Sequence, residues 1–250
     1  MQLFGVRTRL VKPKDDLVGI ILEALSRERL TIDDGDVLVL ASKVVSMAQR
    51  RLTRLDTIDP SEEAKKLAEK YELDSRFAEV VLSEADEIYG GVPEALLTLK
   101  DGVLIANAGV DRKNAPVGSV VLWPEQPHAS AEKIRAEILK RAGRRIGVLI
   151  VDSRVTPLRM GTTGVAIGIA GFSPIRDCRA EKDLYGKRVL ITRHALADDL
   201  AGAAHLVMGE TEAHMPAVLA KQVPISLTEE ADPELLLIAA SECLFMSRLA

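Results

Sequence analysis

The chain has 250 residues, 47% of them hydrophobic, which is enough for a substantial core in one large domain or two small ones. A formal net charge of −4 with scattered basic residues, and an aromatic content of 3%, argue against a nucleic-acid partner. The two cysteines are too few for a disulfide framework. Segment 1–10 lacks the apolar core of a signal peptide. No apolar run reaches the roughly 18–20 residues that a membrane span needs. We therefore expect a cytoplasmic protein with no membrane partner.

Helices and strands are interspersed in the first half of the chain, without an obvious repeat or long linker. Asp15 and Asp16 are placed to cap a helix with an apolar face, and segment 35–41 is a short buried strand that delivers Ser42 and Lys43 to its end. The pattern also predicts a helix capped by Asp59 and running through Tyr71, a helix over 75–88, and a hairpin that turns at Asp101-Gly102.

The second half of the chain continues this mixture of elements. It predicts a strand over 118–123, a helix capped by Ser130 and ending at Gly143, a buried strand over 147–151, a strand over 187–192, a helix over about 196–208, a strand over 216–220 and a final helix from Asp232. Hairpin-paired strands beside strands flanked by helices indicate an α+β fold of mixed sheets with flanking helices, rather than a regular doubly wound sheet.

The common nucleotide-binding and hydrolase motifs are missing from the sequence. Neither G-x-x-x-x-G-K-[ST] nor G-x-G-x-x-G occurs, so a P-loop or Rossmann site is not expected, and G-x-S-x-G and H-E-x-x-H are also absent. The histidines form no ligand pair of recognisable spacing, and we expect a surface or packing role for each of them: His128, His194, His205 and His214.

Three carboxylates stand where predicted elements end. Asp111 comes after "GVLIA", Asp152 follows "GVLIV", and Glu210 follows the predicted helix over 196–208. Converging oxygen ligands of this type suit a hard divalent cation. Ordinary turn chemistry explains the same residues, because Asp and Asn are favoured in turns. On spacing alone, both readings stay open.

The residues around these carboxylates also have two readings. Glycines 161, 164, 168 and 171 follow Asp152, and glycine can let backbone N–H groups approach a phosphate or can simply allow strand crossing and bulges. Lys43 is either a phosphate contact or a solvated lysine at the end of a strand.

Long blocks of the sequence resemble one family. The blocks "GDVLVLASKVVSMAQ", "IANAGVDRKNAPVGSVVLWP", "GVLIVDS", "GTTGVAIGIAGF", "EKDLYGKRVL" and "ADDLAGAAHLVMGE" follow one another in the order typical of the γ-glutamyl ligases that add glutamate to the precursor of the deazaflavin coenzyme F420. The resemblance covers nearly the whole chain, so residues 1–250 are interpreted as one ligase unit, with a division into two subdomains left open.

The resemblance implies an activity and an assembly. The family's ligases use GTP and a divalent metal, Mn²⁺ or Mg²⁺, with K⁺ as a further candidate ion. GTP phosphorylates a carboxylate of the precursor, and the amine of L-glutamate then displaces phosphate. The family fold is an α+β arrangement that forms an intertwined homodimer, and its partners are small-molecule substrates.

Matching the family's motifs assigns site residues to this chain. Asp111 and Asp152 match catalytic, metal-binding aspartates, and Ser153 and Glu210 complete the implied metal set. The residues implied to bind GTP are Arg9, Leu10, Val11, Lys12, Ser42, Lys43, Asn114, Met208 and Gly209. The glycines after Asp152 would let the chain pass close to the dimer partner or to a ligand.

Two segments depart from the family pattern. The family commonly has D-T-N-G or D-T-F-G where this chain has Asp152-Ser153-Arg154-Val155, and Thr211-Glu212-Ala213-His214 replaces a glycine-rich stretch. Arg154 and Arg159 either pair with an anionic acceptor or are solvated. The alternatives are therefore the same chemistry on another carboxylate, such as a folate or pterin, and a non-catalytic GTP-binding relative.

Overall fold

The computed structural model describes residues 1–210 and 214–248. The helices are α1 (Leu17–Arg27), α2 (Ser42–Ala48), α3 (Glu62–Tyr71), α4 (Ser75–Glu84), α5 (Pro127–Ala142) and α6 (Leu196–Met208). The strands are β1 (Gln2–Val6), β2 (Val37–Ala41), β3 (Leu52–Arg54), β4 (Glu87–Val92), β5 (Ala95–Lys100), β6 (Val103–Ala106), β7 (Ser119–Val121), β8 (Gly147–Val155), β9 (Thr162–Ala170), β10 (Arg176–Asp177), β11 (Arg193–His194) and β12 (Ala217–Lys221). The α+β class predicted from the sequence is confirmed. Within these residues, no helix has both the length and the apolar character needed to cross a bilayer.

A five-stranded sheet in the order β1-β12-β2-β8-β9 organises the molecule. Strands β2 and β8 are parallel, and the other neighbouring pairs are antiparallel. Strand β2 ends at Ala41 opposite Val151, whereas β8 continues to Val155 beside β9. Asp152 therefore lies inside β8, opposite Val165, and not at the end of a strand as the sequence suggested. From Asp152 onwards, β8 no longer pairs with β2 and pairs only with β9.

Helices cover both faces of this sheet. Buried residues of α1 and α5 pack with Val148 and Ile150 of β8 on one face, while α6 packs on Leu149 and Val151 on the other. Because successive side chains of β8 point to opposite faces, this strand contributes to the hydrophobic clusters on both sides of the sheet. A register shift opposite Ile150 and Val151 introduces a bulge into β9, which changes the face to which its following residues point.

Two glycines of β9 allow both helices to lie against this strand. A Cβ on Gly164 would lie 2.3 Å from the carbonyl oxygen of Ala201 in α6, and one on Gly168 would lie 2.5 Å from that of Pro127 in α5. Such distances are far below van der Waals contact, so only glycine permits this packing. The expectation that the glycines approach a dimer partner or a ligand is corrected for these two, because they approach the chain's own helices.

Residues between α2 and α5 form a smaller unit beside the sheet. It contains α3, α4, the three-stranded sheet β4-β5-β6 and the β3–β7 pair. Some of its apolar side chains make clusters of their own, one around Phe77, Leu96 and Val120, and one around Ala64 and Ala78. Others, such as Ile105, Val121 and Trp123, join the core of the large sheet. The predicted hairpin at Asp101-Gly102 joins β5 to β6 and is confirmed.

The predicted helix starts need two corrections. Helix α3 is capped by Ser61, whose side chain accepts a hydrogen bond from the Ala64 amide, and not by Asp59. Helix α5 begins at Pro127, a residue favoured at the first helical position because it lacks an N–H. Ser130 therefore lies inside the helix, where its hydroxyl donates to the Glu125 carbonyl (2.9 Å) and accepts from Gln49 Nε2 (2.7 Å). The helices predicted over 75–88 and 196–208 are confirmed, although α4 ends at Glu84.

Two later elements are also corrected. The segment 187–192 forms no strand in the described structure. Its pairing is limited to an isolated antiparallel bridge between Arg188 and Lys182, and Leu190 and Ile191 are exposed. No core packs on this segment, so its apolar residues do not produce a strand. The final helix expected from Asp232 is a single 3-10 turn over Pro233–Leu236.

The segment after β12 runs back along the central sheet. Leu227 pairs with Phe172, and the Thr228 amide donates to the Gly171 carbonyl. Arg135 of α5, which is buried, then reaches Glu229 through Nη2 (2.5 Å) and donates from Nε to the Ile146 carbonyl (3.0 Å). A buried guanidinium thus ties this segment to α5 and to the start of β8.

Candidate functional site

A cavity of about 300 Å³ opens where β2 ends beside β8, at the carboxyl end of their parallel pairing. Crevices of this kind, where parallel strands end, are the usual ligand sites of open sheets. Most of the residues implied by the family resemblance line this one cavity: Arg9, Leu10, Val11, Ser42, Lys43, Asp111, Asn114, Asp152, Ser153, Met208, Gly209 and Glu210. Residues from five separate parts of the sequence therefore meet here, and their roles stay predictions.

Lys12 is the exception and lies outside the described lining of the cavity. Its amide donates to Asp15 Oδ2 (2.7 Å), the same oxygen that accepts from Arg9 Nη1 (2.6 Å). Asp15, predicted to cap α1, thus organises the loop before that helix, and Asp16 is the residue that caps it.

Lys43 enters the cavity from the first turn of α2, directly after β2. Its ammonium contacts Asp111 Oδ2 at 2.5 Å and the carbonyl oxygen of Lys113 at 2.7 Å. Strand β2 continues into α2 without a loop, since Ala41 is extended and Ser42 is already helical. This direct connection determines the position of the Lys43 backbone.

Asp111 follows a tight turn after β6. Asn107, Ala108 and Gly109 all have positive φ, and Asp111 then exchanges two backbone hydrogen bonds with Val121 of β7. Its side chain accepts from the Lys113 amide through Oδ1 (2.7 Å) and from Lys43 through Oδ2. Both carboxylate oxygens are therefore held in place, and the aspartate is well oriented for binding a cation or a polar ligand.

Asp152 is the most perturbed acid of the cavity. Desolvation raises the pKa of Asp152 to about 6, against the opposing effects of the Ser42 side chain, the Ser153 amide and the Lys43 charge. The nearby carboxylate of Asp111 contributes to this rise in pKa, although less than desolvation does. A carboxyl group that titrates close to neutral pH in a cavity is typical of functional sites.

Glu210 lies just beyond α6, after Gly209. Its Oε1 accepts from Thr162 Oγ1 (2.6 Å) and pairs with His205 Nε2 (2.8 Å), and its Oε2 accepts from Lys113 Nζ (3.2 Å). Desolvation would raise the pKa of Glu210, but these hydrogen bonds outweigh it and lower the pKa to about 2. Glu210 is thus a carboxylate throughout the physiological pH range.

Sequence reasoning missed three of these residues. Lys113, Thr162 and His205 lie inside the sequence blocks that resemble the family, and this was the signal that could have identified them. Nothing in the sequence connects them with Glu210, which lies 97, 48 and 5 positions away. The expectation of a surface or packing role is wrong for His205, which contacts the cavity glutamate. His214 also lines the cavity.

The other two histidines behave as expected. His128 is partly buried, its Nδ1 accepts from the Ile169 amide (3.1 Å) beside the β9 bulge, and burial lowers its pKa. His194 is exposed and pairs with Asp199.

No three histidine, cysteine, aspartate or glutamate side chains form a metal-binding group within residues 1–210 and 214–248. The expected set of three carboxylates is therefore not gathered, because Asp111 contacts Lys43 while Glu210 is held by its own partners. Asp111 and Asp152 nevertheless fit a cation as a pair, since the carboxylate of Asp111 disfavours the charge of Asp152 and a cation between them would offset this repulsion. A Mg²⁺ ion that binds with a nucleotide needs only one or two carboxylates beside the phosphates.

The departures from the family pattern have a partial structural account. Val155 is extended in β8 and pairs with Thr162, so this position needs no glycine conformation here. Arg154 pairs with Asp198 of α6 (3.5 Å), and Arg159 is exposed. Thr211–Ala213 lie outside the described residues.

Comparison with known proteins gives consistent matches. A sequence model described as F420-0:Gamma-glutamyl ligase matches residues 5–222. Proteins named coenzyme F420:L-glutamate ligase are similar to this chain: that of Methanopyrus kandleri is 43% identical over 212 residues (84% of this chain, 82% of the relative), and that of Archaeoglobus fulgidus is 39% identical over 217 residues (87% and 85%). The Methanothermobacter thermautotrophicus protein of the same name is 39% identical over 226 residues, 90% of each chain. Because the match spans most of the sequence and of its relatives, and includes the residues around the cavity, this chain belongs to the F420-0:gamma-glutamyl ligase family.

Proposed function

We propose that this protein is a GTP- and divalent-metal-dependent ligase that joins L-glutamate to the coenzyme F420 precursor through an amide bond. The observation that carries the proposal is the convergence of the family-implied residues on one cavity, where β2 ends beside β8. The relatives named coenzyme F420:L-glutamate ligase supply the acceptor and the amino acid.

The reaction needs an activated carboxyl group, because a carboxylate at neutral pH resists attack by an amine. The γ-phosphoryl group of GTP is transferred to a carboxylate oxygen of the precursor, giving an acyl phosphate and GDP. The amine of glutamate then attacks the acyl carbon, the C–O bond to phosphate breaks, and the amine loses a proton. A second glutamate can follow on the γ-carboxyl group of the first.

Charged residues of the cavity suit this chemistry. Lys43 is a point charge for a phosphate oxygen, and Asn114 offers an amide to the nucleotide. Asp111 and Asp152 would hold a divalent cation, Mn²⁺ or Mg²⁺, whose charge offsets that of the triphosphate during phosphoryl transfer. Ser153 is a candidate hydroxyl ligand beside Asp152, while Arg9, Leu10, Val11, Met208 and Gly209 form the remaining wall.

The proposal includes a homodimer. Large apolar side chains are exposed on two segments, the turn between β8 and β9 (156–161) and the arm between β9 and α6 (171–195): Leu158, Met160, Leu184, Tyr185, Leu190 and Ile191. Exposed apolar surface of this extent is typical of protein–protein contacts. A second copy of the chain is the partner that the family resemblance implies.

The test is a defined reaction. Purified protein is incubated with GTP, Mn²⁺, L-glutamate and the F420 precursor, and products are followed by mass spectrometry and by phosphate release. We expect a mass gain of one or more glutamyl units, and its loss in Asp152→Asn. A mass gain seen only with a folate or pterin would show that this compound is the acceptor. GTP binding without turnover on any acceptor would reject the ligase activity.

A further inference from the structure

The two carboxylate oxygens of Glu210 have partners of different kinds. Oε1 is held by Thr162 of β9 and His205 of α6, at 2.6 and 2.8 Å. Oε2 has one contact in the described structure, Lys113 Nζ at 3.2 Å. Because a carboxylate can only accept, the imidazole of His205 must carry the donated proton on Nε2.

The partners of Oε1 belong to rigid elements. Thr162 starts β9, His205 lies in the last turn of α6, and these two elements are in close contact at Gly164. The side chain of His205 is 17% exposed. Thr162 is exposed at the first position of β9, so the Oε1 contacts depend on two short side chains held by the packed α6–β9 contact, and not on a long, flexible side chain.

The partner of Oε2 is different in character. Lys113 is 61% exposed and sits on the loop after Asp111. Ion pairs with such exposed lysines contribute little free energy, because solvent screens them and the long side chain loses entropy. Lys113 is consequently a partner that another cation can replace.

From this asymmetry we infer that Thr162 and His205 are positioning residues: they fix Oε1 so that Oε2 faces the cavity and can exchange Lys113 for a divalent cation. The inference rests on the proposed function, since that cation arrives with the nucleotide. Partners that orient a metal-binding side chain in this way typically contribute 10–100-fold to metal affinity or activity.

Thr162 offers a sharp test. Thr162→Val keeps the shape of the side chain and removes the hydroxyl donor, whereas Thr162→Ser keeps the donor. Thr163→Val is the matched control, because Thr163 is the next residue of the same strand and faces Gly202 of α6. Each variant is titrated with Mn²⁺ in the presence of GTP, by electron paramagnetic resonance of the free ion, and glutamyl addition is measured over the same Mn²⁺ range.

We expect Thr162→Val to bind Mn²⁺ about 10-fold more weakly, with the matching rise in the Mn²⁺ concentration needed for activity. Activity should recover at saturating Mn²⁺, and Thr162→Ser and Thr163→Val should resemble the wild type. His205→Leu should repeat the loss, and His205→Gln, which keeps a donor, should restore part of it. A purely structural role would lower the melting temperature of Thr162→Val and leave its Mn²⁺ titration unchanged.

The outcomes separate this inference from the proposed function. A wild-type Mn²⁺ titration for Thr162→Val overturns the inference, even if the protein adds glutamate normally. A wild-type protein that binds no Mn²⁺ beside GTP also overturns it. Weakened Mn²⁺ binding in a protein that adds no glutamyl unit supports the positioning role and rejects the proposed reaction.

Discussion

Lys43 and Asp111 form an ion pair in the wall of the cavity, with Nζ and Oδ2 2.5 Å apart, although they are 68 positions apart in the sequence. Lys43 belongs to the helix that continues β2 of the large sheet. Asp111 belongs to the loop that leaves the small sheet and pairs with β7. The pair therefore joins the two units of the fold at the place where a nucleotide is proposed to bind.

Replacing Lys43 tests its assignment to the nucleotide site. Lys43→Met removes the ammonium and keeps the length of the side chain, and we expect GTP affinity to fall about 10-fold or more, because hydrogen bonds to charged groups contribute about 1.5–3 kcal/mol. Isothermal titration calorimetry measures the change. Lys65→Met, which removes an exposed lysine paired with Glu62 on α3, is the matched control. Unchanged GTP binding in Lys43→Met would remove this lysine from the site.

The raised pKa of Asp152 makes a prediction about stability. Since the pKa rises from 3.8 to about 6 on folding, the folded protein retains a proton that the unfolded chain has already lost. Stability must therefore fall as pH rises from about 4 to 6, and above that range ionised Asp152 costs about 3 kcal/mol. In the metal-free protein, Asp152→Asn should be more stable than the wild type at pH 8 and gain little at pH 4.

Denaturant unfolding with a chelator present, at both pH values, measures this difference. A destabilised Asp152→Asn at pH 8 would contradict the prediction and would indicate that the carboxylate is well compensated in the folded state. The same variant is expected to lose glutamyl addition. The cavity would then be a site where charge needed for function reduces stability.

Two glycine-to-alanine substitutions test the contact between β9 and α6, and we expect them to have opposite effects on stability. Gly164→Ala places a Cβ 2.3 Å from the Ala201 carbonyl, so α6 must shift, at a cost of about 1–3 kcal/mol. Gly202 lies inside α6, and a Cβ there would meet Thr163 Oγ1 at an ordinary 3.6 Å. Gly202→Ala should therefore stabilise the protein by about 0.5–1 kcal/mol through helix propensity. Equal effects of the two substitutions on the melting temperature would show that β9 and α6 are not closely packed.

The proposed homodimer is tested by mass in solution. Size-exclusion chromatography with light scattering should give twice the chain mass of 27.1 kDa. Leu184→Ser combined with Ile191→Ser should shift the protein towards the monomer, because both side chains are exposed apolar groups of the arm. Val92→Ser changes an exposed residue of β4 and should leave the mass unchanged. A monomeric wild type would reject the dimer.

Local sequence patterns correctly predicted the elements that have both a capping residue and an apolar face packed on the core. Helix α1 has Asp16 as its cap and buries Ile21 and Leu25, so periodicity and capping agreed. The segment 187–192 is the opposite case. Its Val, Leu and Ile favour a strand, but no core lies beside it, and strand propensity depends on packing against neighbours.

The site was predictable only in part, for a similar reason. Family motifs identified Asp111, Asp152 and Glu210, which line one cavity. Asp152 reaches it from β8, Asp111 from the loop after β6, and Glu210 from the end of α6. The hydrogen bonds of Glu210 could not be predicted, because Thr162 and Lys113 reach it through tertiary packing between distant segments. A bulge in β9, invisible in the pattern of apolar residues, determines which face each β9 residue uses.

The buried guanidinium of Arg135 has a practical consequence. The family match ends at residue 222, yet Glu229, beyond that limit, is one of the carboxylates that neutralise this arginine. A version shortened to the matched length would strip α5 of this counter-charge and uncover the apolar surface beneath Leu227. Recombinant protein trimmed by homology alone should express poorly, and the stretch past the last sheet strand belongs in any version made for biochemistry.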